Sequence, residues 1–353
     1  MANHAVPGLY ETPGLRARIL DQIREENFAW VIDNLYSPVL GKDPHGPSDH
    51  TGRTCDGGQF RVTRDEFGGR VCPGYDPAEV RVVMGGDSWV YGSEVNDAET
   101  MAANLAVLLG EPVANYGAAG YGVLQAYLRL AEKIENHPKA EVAVLGVLRN
   151  DFERTFSGHI GVYFESAEVW FGLKPRMHDG RIVPLDTGDF ASAKHYREAV
   201  GLAFERDFWS KPKRGFPYGW RFFRAIGSNS ARFKEMNFSR VGIGPPRQIA
   251  VLTDERIGGQ VREVLNLFSD WATEHRLLPV VYFFQANRTV PHFLEVFLEA
   301  HGEGLDPNLH LFKFDPDPFP SRHIISCENP RCHPDAQGQA MLALELFRQA
   351  FAR

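Results

Sequence analysis

Cysteine is scarce in this chain: there are four in 353 residues, at Cys55, Cys72, Cys327 and Cys332. So few exclude a small scaffold stapled by disulfides. They fall into two loose pairs, and the C-x4-C spacing of Cys327 and Cys332 is not that of the common zinc pairs. Free thiols and no metal are therefore expected. Basic charge is short as well. Lys and Arg total 38 against 45 Asp and Glu, a net charge of −7, which argues against a general nucleic-acid binder. No apolar run approaches the roughly 18 to 20 residues that span a bilayer. The opening "MANHAVPGLYETPGLRAR" lacks the basic-then-apolar order of a secretory signal. A cytoplasmic protein without a membrane span is the expectation. Internal repeats and low-complexity tracts are missing too. The Gly/Pro-rich stretch "DPHGPSDHTGRTCD" (43–56) reads as a polar loop in preference to a metal site.

What is present suits a large core. Hydrophobic residues make up 43% and charged residues 24%, the balance of a globular protein of one large domain or two ordinary ones. Residues 1–79 read as an N-terminal extension. The stretch "GLRARILDQIREENFAWVIDNLY" is helical in its apolar spacing, and "GQFRVTRDEFGGRVC" is hairpin-like.

From Val80 the text alternates. "VRVVMGG" is a buried strand, and "NDAETMAANLAVLLG" a helix with Asp97 as N-cap and Gly110 as stop. "PVANYG" is a strand, "GVLQAYLRLAEKIENHP" a helix and "AEVAVLGVLRND" a third strand. The rhythm resumes with "REVLNLFSDWATEHR", "LLPVVYFFQ", "VPHFLEVFLEAHG", "LHLFKFD" and the closing helix "PDAQGQAMLALELFRQAFAR". Strands alternating with helices of this length predict a three-layer α/β/α sandwich on a parallel sheet. Residues 151–247 break the pattern and read as an insertion that caps the site, within a domain of 80–353. Inside it, Lys211–Arg247 carries nine basic residues against Glu235 alone. That stretch is read first as an amphipathic helix with solvated arginines, and second as a surface for an anionic substrate or carrier.

In an open parallel sheet, reactive groups gather beyond the carboxyl ends of the strands. The first strand delivers Asp87 and Ser88, the second Gly117 and Gly120, and the third Arg149, Asn150 and Asp151. His333 stands just ahead of the last helix. Acyl transfer asks for this set. A Ser hydroxyl attacks well only when a base such as imidazole removes its proton. The oxyanion that forms needs preorganised donors, and the N–H groups of Ser88 and Gly120 with the Asn150 amide supply three. Singly, each residue has a duller reading as a turn or cap; jointly they point to one site. The Gly117-x-x-Gly120-x-Gly122 run is not in the order of a dinucleotide-binding turn.

These blocks resemble the SGNH (GDSL) hydrolases, whose markers are Ser, Gly, Asn and His in separate blocks. Gly86-Asp87-Ser88, "VANYGAAGYGVLQAYL", Leu148-Arg149-Asn150-Asp151 and "HPDAQGQAMLA" match in order. "GDSWVYGSEVNDAETMAANLAVLLG" is similar to a bacterial esterase and acyltransferase branch. The resemblance implies a flavodoxin-like parallel sheet (the SGNH hydrolase fold) and hydrolysis of an O-acyl ester with no cofactor. Ser88 would be the nucleophile, His333 the base, and Ser88, Gly120 and Asn150 the oxyanion hole. Asp87, Arg149 and Asp151 are further candidates for holding substrate, Arg149 for a carboxylate. The substrate would be an acyl ester of a small molecule, carbohydrate, lipid or carrier.

One departure stands out. The family usually has an Asp two or three residues before the His, where this chain has Arg331 and Pro330. Three possibilities follow: Glu328 completes a triad, a Ser–His dyad leans on a backbone carbonyl, or the site is weakened. An O-acyltransferase using the same acyl-enzyme and a binding protein that keeps only the fold are the alternatives in function.

Overall fold

Continuous apolar runs bury both faces of a strand, as in Val82–Gly85, Val142–Val147 and Leu278–Phe284, and with two flanking strands these form the centre of the molecule. The computed structural model describes residues 15–43, 46–54, 57–159, 173–178, 181–183, 190, 192–206, 252–284, 292–314 and 333–352. The strands are β1 (Val82–Gly85), β2 (Val113–Asn115), β3 (Val142–Val147), β4 (Leu278–Phe284) and β5 (His310–Phe314). They lie in the order β2-β1-β3-β4-β5, and every pairing is parallel. This is the flavodoxin-like order, in which the connection reverses direction between β1 and β3.

Alternation along the strands divides the core into two layers. Val82, Met84, Val144, Val280, Tyr282 and Phe284 join helices α2 (Met101–Leu109) and α7 (Ala336–Ala350) through Leu105, Leu342 and Leu346. Val83, Leu145, Val147, Val281 and Phe283 point the other way. They meet α3 (Val123–Lys133), α5 (Gln260–Glu274) and α6 (Phe293–His301) through Leu124, Leu130, Phe268 and Phe297. The result is the expected three-layer α/β/α sandwich. The caps are chemical. Thr100 accepts from the Ala103 N–H at 3.1 Å to start α2, Asp335 accepts from Gly338 at 2.8 Å to start α7, and Gly110 ends α2 at φ 70°.

The chain ahead of β1 is tied to this sandwich by buried charge. Asp43 is buried and pairs with Arg129 of α3 at 3.1 Å. Arg129 also donates to the carbonyls of Gly68 at 2.9 Å and Gly117 at 3.3 Å. An antiparallel hairpin, Ser48–Arg53 with Gln59–Arg64, precedes Arg70, whose N–H donates to Asn115 O at the end of β2. Helices Leu15–Gln22 and Ala193–Arg206 share a third apolar cluster built on Ile19, Ile23, Tyr196 and Val200. Among the described residues no helix is long and apolar enough to cross a membrane.

Local expectations shift in three places. The Thr54 N–H donates to Gly58 O at 2.9 Å where the two strands close, and Gly57 takes φ 92°, so "SDHTGR" is a strand and not a polar loop. Asp97 does not cap α2. Its carboxylate is taken by Arg70 at 2.9 Å and the Thr63 N–H, which leaves Thr100 as the cap. The N-terminal helical pattern is two helices, Leu15–Gln22 and Glu25–Leu35. The basic stretch 211–247, Cys55, Cys327, Cys332 and Glu328 lie outside the described residues.

Candidate active site

β1 and β3 are neighbours, with Gly85 opposite Leu145, so the residues that follow each strand emerge side by side at the reversal point of the sheet. Gly86 and Gly146 permit this closeness. A Cβ on either would strike Val90 of the following helix, and one on Gly86 would also crowd the Gly146 carbonyl. After β1 the chain turns at once into α1 (Ser88–Tyr91), with Asp87 as its cap accepting from the Trp89 N–H at 2.9 Å. Ser88 is the first residue of that helix. Gly92 ends it in the left-handed region, at φ 74°.

After β2, Asn115 pins the next loop. It donates to Val90 O at 2.9 Å and accepts from the Gly117 N–H at 3.0 Å. Gly117 lies against α1 so closely that a Cβ would collide with the Tyr91 backbone nitrogen. Gly120, at φ 84°, turns the loop back toward α3. After β3 comes α4 (Arg149–Arg154), in which Asp151 accepts from the Leu148 N–H at 2.8 Å.

A residue that sequence reading passed over joins these pieces. Arg154 Nη1 donates to Asp87 Oδ2 at 3.0 Å, Asp151 Oδ1 at 2.9 Å and Tyr121 O at 3.4 Å. One guanidinium thus holds the loops behind β1, β2 and β3 together, and all three side chains are buried. Burial, then the Asp87 charge, push the Asp151 carboxyl well above the ordinary carboxylate range, with Arg154 pulling it back.

The predicted residues stand as follows. Ser88 is buried, and its hydroxyl lies 3.4 Å from Asp87 Oδ2; it makes no hydrogen bond to His333. Asn150 is half-buried. Its carbonyl accepts from Arg149, which also pairs with Glu153 at 2.7 Å, and its amide N–H groups have no acceptor among the described residues. Arg149 is thereby occupied within its own helix. Asp87 and Asp151 serve Arg154. His333 sits ahead of α7, and Gln339 of that helix ties it to the nucleophile segment by accepting from the Met101 N–H and donating to Trp89 O.

The Nδ1 of His333 faces Glu94 Oε1 at 3.1 Å, with both side chains about one-fifth exposed. Glu94 lies in the loop just after α1 and has φ 72°. That loop is gripped by Arg70, which is buried completely. Its guanidinium donates to the carbonyls of Tyr91, Gly92 and Val95 and pairs with Asp97. Neither residue carries a sequence signal. Glu94 is 239 positions from its partner, and Arg70 sits in what reads as a surface hairpin.

The chain matches no family model and no curated protein. Among solved structures it is similar to a G-D-S-L family protein from Desulfitobacterium hafniense DCB-2, to which a lipolytic role has been ascribed. The identity is 13% and the TM-score 0.35, over 76% of this chain and 98% of that one. At that distance the likeness fixes neither fold nor activity.

Proposed function

We propose that this protein is a serine hydrolase that cleaves an O-acyl ester through an acyl-enzyme. Ser88 attacks the acyl carbonyl, and His333 takes the hydroxyl proton and returns it to the departing alcohol. The N–H groups of Ser88 and Gly120 and the amide of Asn150 hold the oxyanion. Water then attacks the acyl-Ser88 carbonyl, with His333 again as base, and releases the acid. The substrate is an acyl ester carried on a small molecule, carbohydrate, lipid or carrier.

The observation that carries this reading is the emergence of Ser88 and Asn150 from adjacent strands at the point where the sheet reverses. In sheets of this kind that crevice is where ligands bind. Two further features support it. Ser88 begins a helix, so its N–H is one of the unpaired donors that such an end presents. Neither the Asn150 amide N–H groups nor His333 Nε2 has a hydrogen-bond partner among the described residues, as an oxyanion donor and a general base require. Catalysis requires the Ser88 hydroxyl to turn from Asp87 to His333, and catalytic hydrogen bonds of this kind often tighten only when substrate is bound.

Ser88→Ala tests the proposal. Turnover of p-nitrophenyl acetate should fall by at least about 10³-fold, and a fluorophosphonate probe should label Ser88 in the native chain and nothing in the variant. Equal turnover in the two proteins ends the hydrolase reading.

A further inference from the structure

We infer that Glu94 is the carboxylate that orients His333, so that the positioning acid comes from the loop behind the nucleophile and not from the segment ahead of the histidine. The inference rests on the hydrolase reading above.

The contact is between the right atoms. Glu94 Oε1 lies 3.1 Å from His333 Nδ1, and an imidazole that donates from Nδ1 keeps its Nε2 lone pair for the nucleophile. The positions where an Asp would be expected, two and three residues before His333, hold Arg331 and Pro330. Pro330 has no ionisable group, and a guanidinium offers only donors.

The loop is built to present this side chain. Gly92 and Ser93 both donate to Ser88 O, at 3.1 and 3.0 Å, which closes α1 one turn after the nucleophile. Arg70 then holds the carbonyls of Tyr91 and Gly92 on one side of Glu94 and that of Val95 on the other. Between these anchors Glu94 adopts φ 72°, a conformation that costs an L-residue energy and that a Gly or Asn would take more readily. A strained non-glycine residue held by a buried clamp is the pattern of a functional position. Nucleophile and acid therefore share one seven-residue segment, Ser88–Glu94, with its geometry fixed by backbone.

In the reaction the Ser88 proton passes to His333 Nε2 as the Oγ–carbonyl bond forms, and from Nε2 to the leaving alkoxide. Glu94 takes no proton. It holds the ring and balances the imidazolium while that charge exists.

Glu94→Gly in the full chain separates this role from a structural one, because it removes the carboxylate and relieves the backbone at the same time. The expected result is a kcat for p-nitrophenyl acetate lower by about 10²- to 10⁴-fold with KM changed by less than about threefold, and an unchanged or higher Tm. Glu94→Asp should recover part of the rate. In ¹⁵N-histidine spectra, neutral His333 (assigned through His333→Gln) should be the Nδ1–H tautomer in the native chain and lose that preference in Glu94→Gly. Native kcat in Glu94→Gly while Ser88→Ala is inactive overturns the inference, as does an Nε2–H tautomer in the native chain. Native turnover in Ser88→Ala sinks the hydrolase reading instead, and the tautomer then reports on the pair alone.

Discussion

Several single groups in this molecule are held in a state that water would not favour. Cys72 is one. Burial pushes its thiol up to about 12 from 9.0, with Thr100 and Arg70 opposing. The thiolate that reacts with alkylating agents is therefore rare in the native state. At pH 8 the peptide containing Cys72 should resist iodoacetamide until the protein unfolds, as peptide-resolved mass spectrometry would show. The linkage has a definite sign. A raised native pKa favours the protonated form, so this contribution to stability is complete below about pH 9 and is lost as pH climbs toward 12. The urea midpoints of native protein and Cys72→Ala should converge over that range. At the same scale, the places of Ser88 and Asn150 just after their strands and of His333 just ahead of the last helix were legible in the sequence, because each lies in a short block with its own pattern. Arg154 and Glu94 were not. An Arg one turn after Asp151 reads as a solvated helix residue, and Glu94 matters only through a left-handed backbone and a partner 239 residues away.

Elements come together here where charge or small residues let them. The five strands could be read from their apolar runs, and the helices between them from spacing and stops such as Gly110. The start of α2 could not, since Asp97 has the chemistry of a cap and loses that role to Arg70 across the hairpin. Nor could the joining of the crossover loops by Arg154. Arg154→Met would leave Asp87 and Asp151 buried without their cation. A loss of about 3–5 kcal/mol is expected, together with a fall in kcat/KM as the Ser88 and Asn150 loops part. With Arg154 gone, only the Leu148 N–H and the Lys174 charge still oppose the burial and the Asp87 charge that already raise Asp151. Its protonation then relieves the site, so the stability deficit should shrink as pH falls. Urea denaturation at pH 7.5 and 5 measures both effects, and equal deficits at the two values would count against the network described.

The whole molecule extends its buried charge beyond the sandwich. Asp43 and Gly68, from the residues ahead of β1, meet Arg129 inside α3, and Arg129 in turn reaches the Gly117 carbonyl in the site. Removing one partner of such a pair strands the other in a medium that solvates it poorly. Asp43→Ala should cost about 3 kcal/mol without altering the slope of the denaturation curve, and a chain begun at residue 80 should not unfold cooperatively. Full cooperativity in that fragment would mean that the early residues are dispensable to the core.

The placement of Glu94 also changes what evolution may do to this chain. If Glu94 steadies the imidazole from behind the nucleophile, as proposed, the tripeptide Pro330-Arg331-Cys332 is released from chemical duty and is free to vary in length and charge. On that proposal a descendant that looked disarmed at that spot would keep its imidazole steadied, and a true loss would be written in the loop between Gly92 and Val95.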